Sequence, residues 1–344
     1  MAAAMLEKAG PLLDKGMHPL KVADGYDRAC DVAVARMKEI AQEIDIFKGE
    51  NSELVKCAKV PLGSKIVSQC QEHLARVAVE AVLAVADLER KDVNFDHIKI
   101  EGKVGGSLED TALINGIVVD KDISHPQMAK EVEDAKICIL TCPFEPPKIK
   151  TNHTLKVKNA EDYKKLYEME QKYFVDMVQK VKDSGANIVL CQWGFDDEAN
   201  HLLMQNNLPA VRWVGGVEIE LIAMATGARI IPRFSEISPE KLGKAAKVKE
   251  MSFGTSSEKI IQIEGCSQKK AVTILVRGGS RVIIDEAMRC LHDAICVVRN
   301  MIKSQRVVPG GGASEIAAGL AVSRASDRVP TVEQYAMRAF ADAL

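Results

Sequence analysis

The order of hydrophobic periods along this chain constrains its fold more than any single motif. The first 90 residues read as helices: "HPLKVADGYDRACDVAVARMKEIAQEI" and "GSKIVSQCQEHLARVAVEAVLAVADLE" both repeat apolar residues near a 3.6-residue period. From about residue 97 short β-rich runs take over, "HIKIEG", "GIVVD" and "KICILTC", separated by Asp, Gly and Pro. There follow a long helix over 160–184, the strand "NIVLC", the helix "DDEANHLLMQ", the strand "AVRWV", the helix "EIELIAMATG" and the strand "RIIPRF". Strand and helix at that spacing make βαβ units, which predicts a largely parallel sheet. After "KIIQIEG" and "AVTILVRG" the chain returns to helix through Leu344. An α/β segment over about 116–268, bracketed by helical segments, reads as an insertion on two hinge strands, with the flanks meeting to bury their stripes. The fold class is multidomain, α and α/β.

With 344 residues, 47% of them hydrophobic, the chain holds enough apolar surface for two or three cores. A net charge of -2 and 4% aromatics argue against a nucleic-acid partner, which needs a basic face or stacking platforms. Nine scattered cysteines with no C-x-x-C pair suit a reducing compartment. The N-terminal stretch "MAAAMLEKAGPLLDKG" has no signal-peptide core, and no run approaches the roughly 18 apolar residues of a membrane span.

Several residues carry candidate chemistry. In "RVVPGGGASEIAAGL" the run Gly310, Gly311 and Gly312 precedes a helix. Glycine admits positive φ and close approach to the backbone, so the run is either a tight turn or a phosphate seat; it lacks the Lys-Ser/Thr ending of a P-loop. The helix "RVIIDEAMRCLHDAICVVRNMIK" has an apolar stripe of Ile284, Met288, Leu291, Ile295, Val298 and Ile302, which leaves Asp293 on the polar side with Glu286, Arg289 and Asn300. Asp293 is then a solvated acid, or a carboxylate orienting a water in a nucleotide cleft. Gly63, Ser64 and Lys65 open a helical pattern and offer either an ordinary cap or an anion site of backbone donors and an ammonium. Asp197 and His201 stand four residues apart, but two ligands make no metal site, and none is assigned. In the helix 216–226, Val217, Leu221, Ile222 and Met224 make an apolar side that is either core or an adaptable binding surface. The stripe Tyr163, Leu166, Tyr167, Tyr173, Phe174, Met177 and Val181 on the long helix reads as core, with a charged first half able to project.

The stretches "KVGGSLEDTALINGIVVDKDISHPQM", "ILTCPFEPPK", "SGANIVLCQWGFDDEANHLLMQNNLPAVRWVGG", "LHDAICVVRN", "VVPGGGASE" and "EQYAMRAFADAL" closely resemble group II chaperonins. The resemblance runs over essentially the whole chain, with its motifs in order. It implies a subunit of a double-ring, ATP-driven machine of the cytoplasm, assembled with paralogous subunits, that folds unfolded polypeptides such as cytoskeletal proteins. The helical equatorial part would take 1–44 and 307–344, a mixed α/β intermediate domain 45–115 and 269–306, and the inserted α/β apical domain 116–268. In that family the acid of "LHDA" orients the attacking water, which falls on Asp293. The "GGG" loop lies against the nucleotide, which falls on Gly310, Gly311 and Gly312, and the loop matching "LGSK" senses the γ-phosphate, which falls on Gly63, Ser64 and Lys65.

Family members carry, upstream, a phosphate-binding segment and a Gly-Asp-Gly-Thr-Thr loop whose Asp holds Mg²⁺. This sequence starts just after that point and stops inside the equatorial domain, so the resemblance implies a chain incomplete at both ends. ATP and Mg²⁺ are the cofactors expected, the second without its family ligand, and the chain alone is expected to hydrolyse no ATP above background. The alternative function is a non-hydrolysing fragment that binds polypeptide through its apical domain. An unrelated α/β nucleotide enzyme would not carry so many of these motifs.

Overall fold

A computed structural model describes residues 1–45, 51–146, 157, 159–253, 258–268 and 271–344. The last two residues of "ILTCPFEPPK" fall outside these. Up to residue 140 the chain forms α1 (Ala2–Asp14), α2 (Pro19–Ile40), β1 (Gln42–Glu43), α3 (Ser52–Lys59), α4 (Gln71–Val85), β2 (Ile98–Val104), β3 (Ala112–Ile114), β4 (Gly116–Val119) and β5 (Glu131–Leu140). It continues with α5 (Ala160–Asp183), β6 (Ile188–Cys191), α6 (Asp197–Gln205), β7 (Ala210–Val211), α7 (Gly216–Thr226), β8 (Gly243–Ser252) and β9 (Lys259–Cys266). The last elements are β10 (Val272–Gly278), α8 (Arg281–Lys303), β11 (Arg306–Val307), α9 (Ala313–Ser326) and α10 (Glu333–Ala343).

These elements form two compact units, 1–53 with 304–344, and 54–303. In the first, chain ends remote in sequence meet: β1 pairs antiparallel with β11, and α2, α9 and α10 enclose Ala29, Ala33, Ala318, Val322, Met337 and Phe340. Small residues let these helices approach closely. A Cβ at Gly25 of α2 would stand 2.6 Å from the Cβ of Ala336 and 2.9 Å from the carbonyl oxygen of Glu333. Glu333 is buried, so its carboxylate needs partners, and Arg28 at 2.6 Å and Lys21 at 3.0 Å provide them. Pro19 starts α2 behind the His18 cap, whose Nδ1 accepts the Leu20 amide at 3.2 Å.

The second unit holds two sheets. In the smaller, β10 runs parallel to β2 and antiparallel to β3. Helices α4 and α8 pack against it through buried faces that include Leu74, Ala78 and Val82, and Ile284, Leu291 and Ile295. The larger has the order β4-β9-β8-β5-β6-β7. Only β5, β6 and β7 are parallel, while β8 and β9 pair antiparallel with each other and with β5 and β4, so the expectation of a largely parallel sheet holds for half of it. The reason is connection length. Six residues separate Ser252 from Lys259, too few for the crossover that parallel strands require. The expected strand "RIIPRF" reduces to one bridge, Ile231 beside Leu140.

Two helical readings also change. The α-helix expected to open at Gly63 begins at Gln71, preceded by 3₁₀ turns over Val60–Leu62 and Ile66–Cys70 with Lys65 extended between them. Along α5 only Phe174, Met177, Val178 and Val181 are buried, and Tyr163, Leu166 and Tyr167 face solvent. The stripe is core in the second half alone.

Candidate functional site

Asp293 lies in the middle of α8, between the buried residues Leu291 and Ala294. Its own side chain turns outward and keeps 52% of its exposure. The helix places it there by the rule that buries its neighbours: the apolar stripe fixes the rotation, and a residue two positions from Leu291 faces away. The extended Lys65, between its two 3₁₀ turns, brings its ammonium onto the Asp293 carboxylate across 228 residues of sequence. Lys65 is only 27% exposed. The hydrogen bond to Asp293 holds the Lys65 ammonium above its ordinary pKa, against a smaller opposing effect of burial. Cys290 lies one turn and Glu286 two turns earlier on α8, and the Cys290 Sγ lies 3.8 Å from the Glu286 Oε1. A half-exposed carboxylate tethered by a cation can accept a proton or orient a water, and the same cation can meet a phosphate oxygen.

Gly63 does not open an α-helix. Its φ of -71° is open to any residue, and the anion seat expected of Gly63, Ser64 and Lys65 has a short 3₁₀ turn and no α-helix terminus behind it. What remains of it is the Lys65 ammonium.

The glycine run belongs to the other compact unit. Gly311 and Gly312 have φ of +71° and +84°, the left-handed region that favours glycine, and Gly312 caps α9. A Cβ at any of the three would meet nothing within 4 Å, so backbone conformation rather than crowding accounts for Gly311 and Gly312. The first turn of α9 already draws an anion. Glu315 accepts its own backbone amide and the Ser314 hydroxyl, at 2.8 Å, and both hold its carboxyl below the usual range.

On α7 the expected apolar side divides. Val217 is 74% and Met224 41% exposed, whereas Leu221 is 7% and Ile222 0% exposed. Leu221 and Ile222 are core residues, and their assignment to a binding surface is corrected. Both faces of this helix are apolar, so its sequence does not choose which one meets the sheet; the packing buries Ile219, Leu221, Ile222 and Ala225 and leaves the stripe of Val217, Glu220 and Met224 outside. His201 is engaged by Gln205 at 2.8 Å. Among the described residues no three His, Cys, Asp or Glu side chains gather to hold a metal.

The TCP-1/cpn60 chaperonin family model matches residues 1–344, the whole sequence. The chain belongs to that family. This chaperonin chain is 50% identical over its full length to T-complex protein 1 subunit epsilon of Encephalitozoon cuniculi, of which it covers 64%. It is 40% identical to thermosome subunits of Methanopyrus kandleri and Methanocaldococcus jannaschii, covering all of itself and 63% of each. It thus spans just under two thirds of these relatives. Among solved structures it resembles the open-state monomer of a group II chaperonin from Methanococcoides burtonii, with a TM-score of 0.70 and 32% identity, over 99% of this chain and 78% of that one. Periodicity marks Asp293 and Lys65 one at a time, and their pairing has no signal in the sequence. Glu315 went unmarked, although an acid in the first turn after the glycines is a signal of its own.

Proposed function

We propose that this chaperonin chain is the nucleotide-responsive and client-binding part of a subunit of an ATP-driven folding ring in the cytoplasm, assembled with related subunits. The observation that carries the nucleotide reading is the Lys65–Asp293 ion pair, which ties a loop to the half-exposed acid that this reading assigns to orienting water. Asp293 then holds the attacking water, with its carboxylate as the proton acceptor. Lys65 exchanges its carboxylate for a phosphate oxygen, so the loop around Gly63 and Ser64 reports the presence of the terminal phosphate. Gly310, Gly311 and Gly312 present backbone donors to the nucleotide at the start of α9. Each of the two units suits an anion by itself: one has a cation beside a water-holding acid, the other a helix start that already collects a carboxylate. ATP supplies the phosphoanhydride whose cleavage drives the cycle. For Mg²⁺ the described residues gather no cluster of three ligands, and no residue of this chain is assigned to hold it.

Under this reading 1–44 and 307–344 are equatorial, 45–115 and 269–306 intermediate, and 116–268 apical, with Val217 and Met224 on α7 offered to unfolded polypeptide such as a cytoskeletal client. The exposure of those two side chains also supports the second reading, a chain that captures polypeptide without turning over ATP. The test is Asp293→Ala in a ring-assembled subunit. Nucleotide affinity should stay within a few-fold and hydrolysis fall on the order of a hundredfold or more, the usual scale for losing a general base. Equal loss of binding and turnover would make Asp293 structural. Client capture with no nucleotide binding in the unsubstituted protein would select the second reading.

A further inference from the structure

At its C-terminal end β5 has a parallel neighbour on each side. Beside β5, at its C-terminal end, Ile231 forms a parallel bridge to Leu140, with hydrogen bonds of 3.0 Å from the Thr141 amide to the Ile231 oxygen and from the Ile231 amide to the Ile139 oxygen. On the opposite side lies β6. In sequence β5 leads by way of α5 to β6, while Ile231 leads to β8. In open α/β sheets the crevice outside such a divergence is where ligands are taken. Here it is a cavity of about 410 Å³, within the range of small-molecule sites, lined by Cys142, Pro143, Glu145 and Pro146 after β5, Pro232, Arg233, Phe234 and Ser235 after Ile231, and Tyr173 and Lys180 of α5.

Its chemistry is uneven. The floor is aromatic and fixed: Phe234 stacks edge-on against the fully buried Phe144 at 4.8 Å, and Phe144 against Phe195 at 5.1 Å. The prolines make an apolar rim. Cys142 adds a neutral wall, since burial pushes its thiol up to about 11. Glu145 is already engaged. Among the described residues the Lys180 ammonium and the Arg233 guanidinium pair with no carboxylate, though both line the one cavity, and Tyr173 and Ser235 add hydroxyl-bearing side chains to its lining. Two unneutralised cations above an apolar floor select an anion on an apolar body, and a guanidinium matches a planar carboxylate with two parallel hydrogen bonds.

We propose that this crevice binds a carboxylate carried on an aromatic or aliphatic body, either a free small acid or the C-terminal end of a polypeptide. The site is independent of the nucleotide reading and of α7.

The test is calorimetric titration of the full chain with N-acetylphenylalanine, its amide, inorganic phosphate, and a short peptide ending in phenylalanine with a free C-terminus. Saturable binding of the acid, with the amide and phosphate at least tenfold weaker, is expected. Binding of the peptide but not of the small acid would identify the source as a chain end. Arg233→Gln and Lys180→Gln should each weaken the acid about tenfold, the scale of one charged hydrogen bond. Arg233→Lys should retain part of the affinity, and Lys164→Gln, outside the cavity on α5, all of it. Equal binding of acid and amide, no saturable binding of either acid, or unchanged affinity in both charge variants would overturn the proposal.

Discussion

The cysteines of the larger sheet show how far a residue's chemistry is set by its neighbours. Cys138 on β5 and Cys191 at the end of β6 are buried, and desolvation of the thiolate pushes both thiols up to about 12. Cys30, on the outer face of α2, is exposed. Brief treatment of the native protein with iodoacetamide should therefore label Cys30 and spare Cys138 and Cys191, read by peptide mass spectrometry, because the thiolate is the nucleophile. The same shift has a stability consequence of definite sign. Below the ordinary thiol value of 9.0 both states are protonated and the contribution is fully present. Above it the unfolded thiols ionise and the folded ones do not, so stability falls as pH rises from about 9 toward about 12. Replacing both with Ala should flatten that part of the curve of melting temperature against pH; an unchanged slope would mean that the two thiols do not carry it. Of the site residues, Asp293 was legible because helical rotation exposes it, and Gly311 and Gly312 because only glycine takes their φ at no steric cost. The Lys65 contact was not, since an ion pair across 228 residues leaves no local pattern.

At the scale of elements, α7 and α5 show what periodicity leaves open. Helix α7 is apolar nearly all round, and only the sheet beneath it decides that Ile222 is inside and Val217 outside. Ile222→Ser removes a fully buried aliphatic group and leaves a hydroxyl among apolar atoms. A loss of about 3 kcal/mol and a clearly lower melting temperature should follow. Val217→Ser and Met224→Ser should each change stability by about 0.5 kcal/mol or less. If these two side chains meet unfolded polypeptide, the same pair should weaken capture of a denatured client in a pull-down; unimpaired capture would remove α7 from the client surface. Helix α5 has one continuous stripe in sequence, yet its buried residues, Phe174, Met177, Val178 and Val181, all lie in its second half.

For the whole molecule, the division of the core argues that the larger sheet folds as a body. One cluster of buried side chains runs from Ile117 to Ala271 through both faces of that sheet, while the helical unit has clusters of its own. Residues 116–268 expressed alone should accordingly unfold in one cooperative step, with coincident transitions by circular dichroism and tryptophan fluorescence. Separate transitions, or a molten state that binds hydrophobic dyes, would show that the hinge strands are needed to hold the sheet together. By itself the sequence determined most of the helices and strands, that an α/β segment interrupts a helical one, and which residues could carry charge or positive φ, because these follow from local period and residue type. Only the tertiary structure decided that half of the larger sheet is antiparallel, which face of α7 is core, that Lys65 meets Asp293, and that Lys180 and Arg233 share a crevice. Each of these is a choice between arrangements that bury similar apolar area locally, and packing between segments distant in sequence settles it.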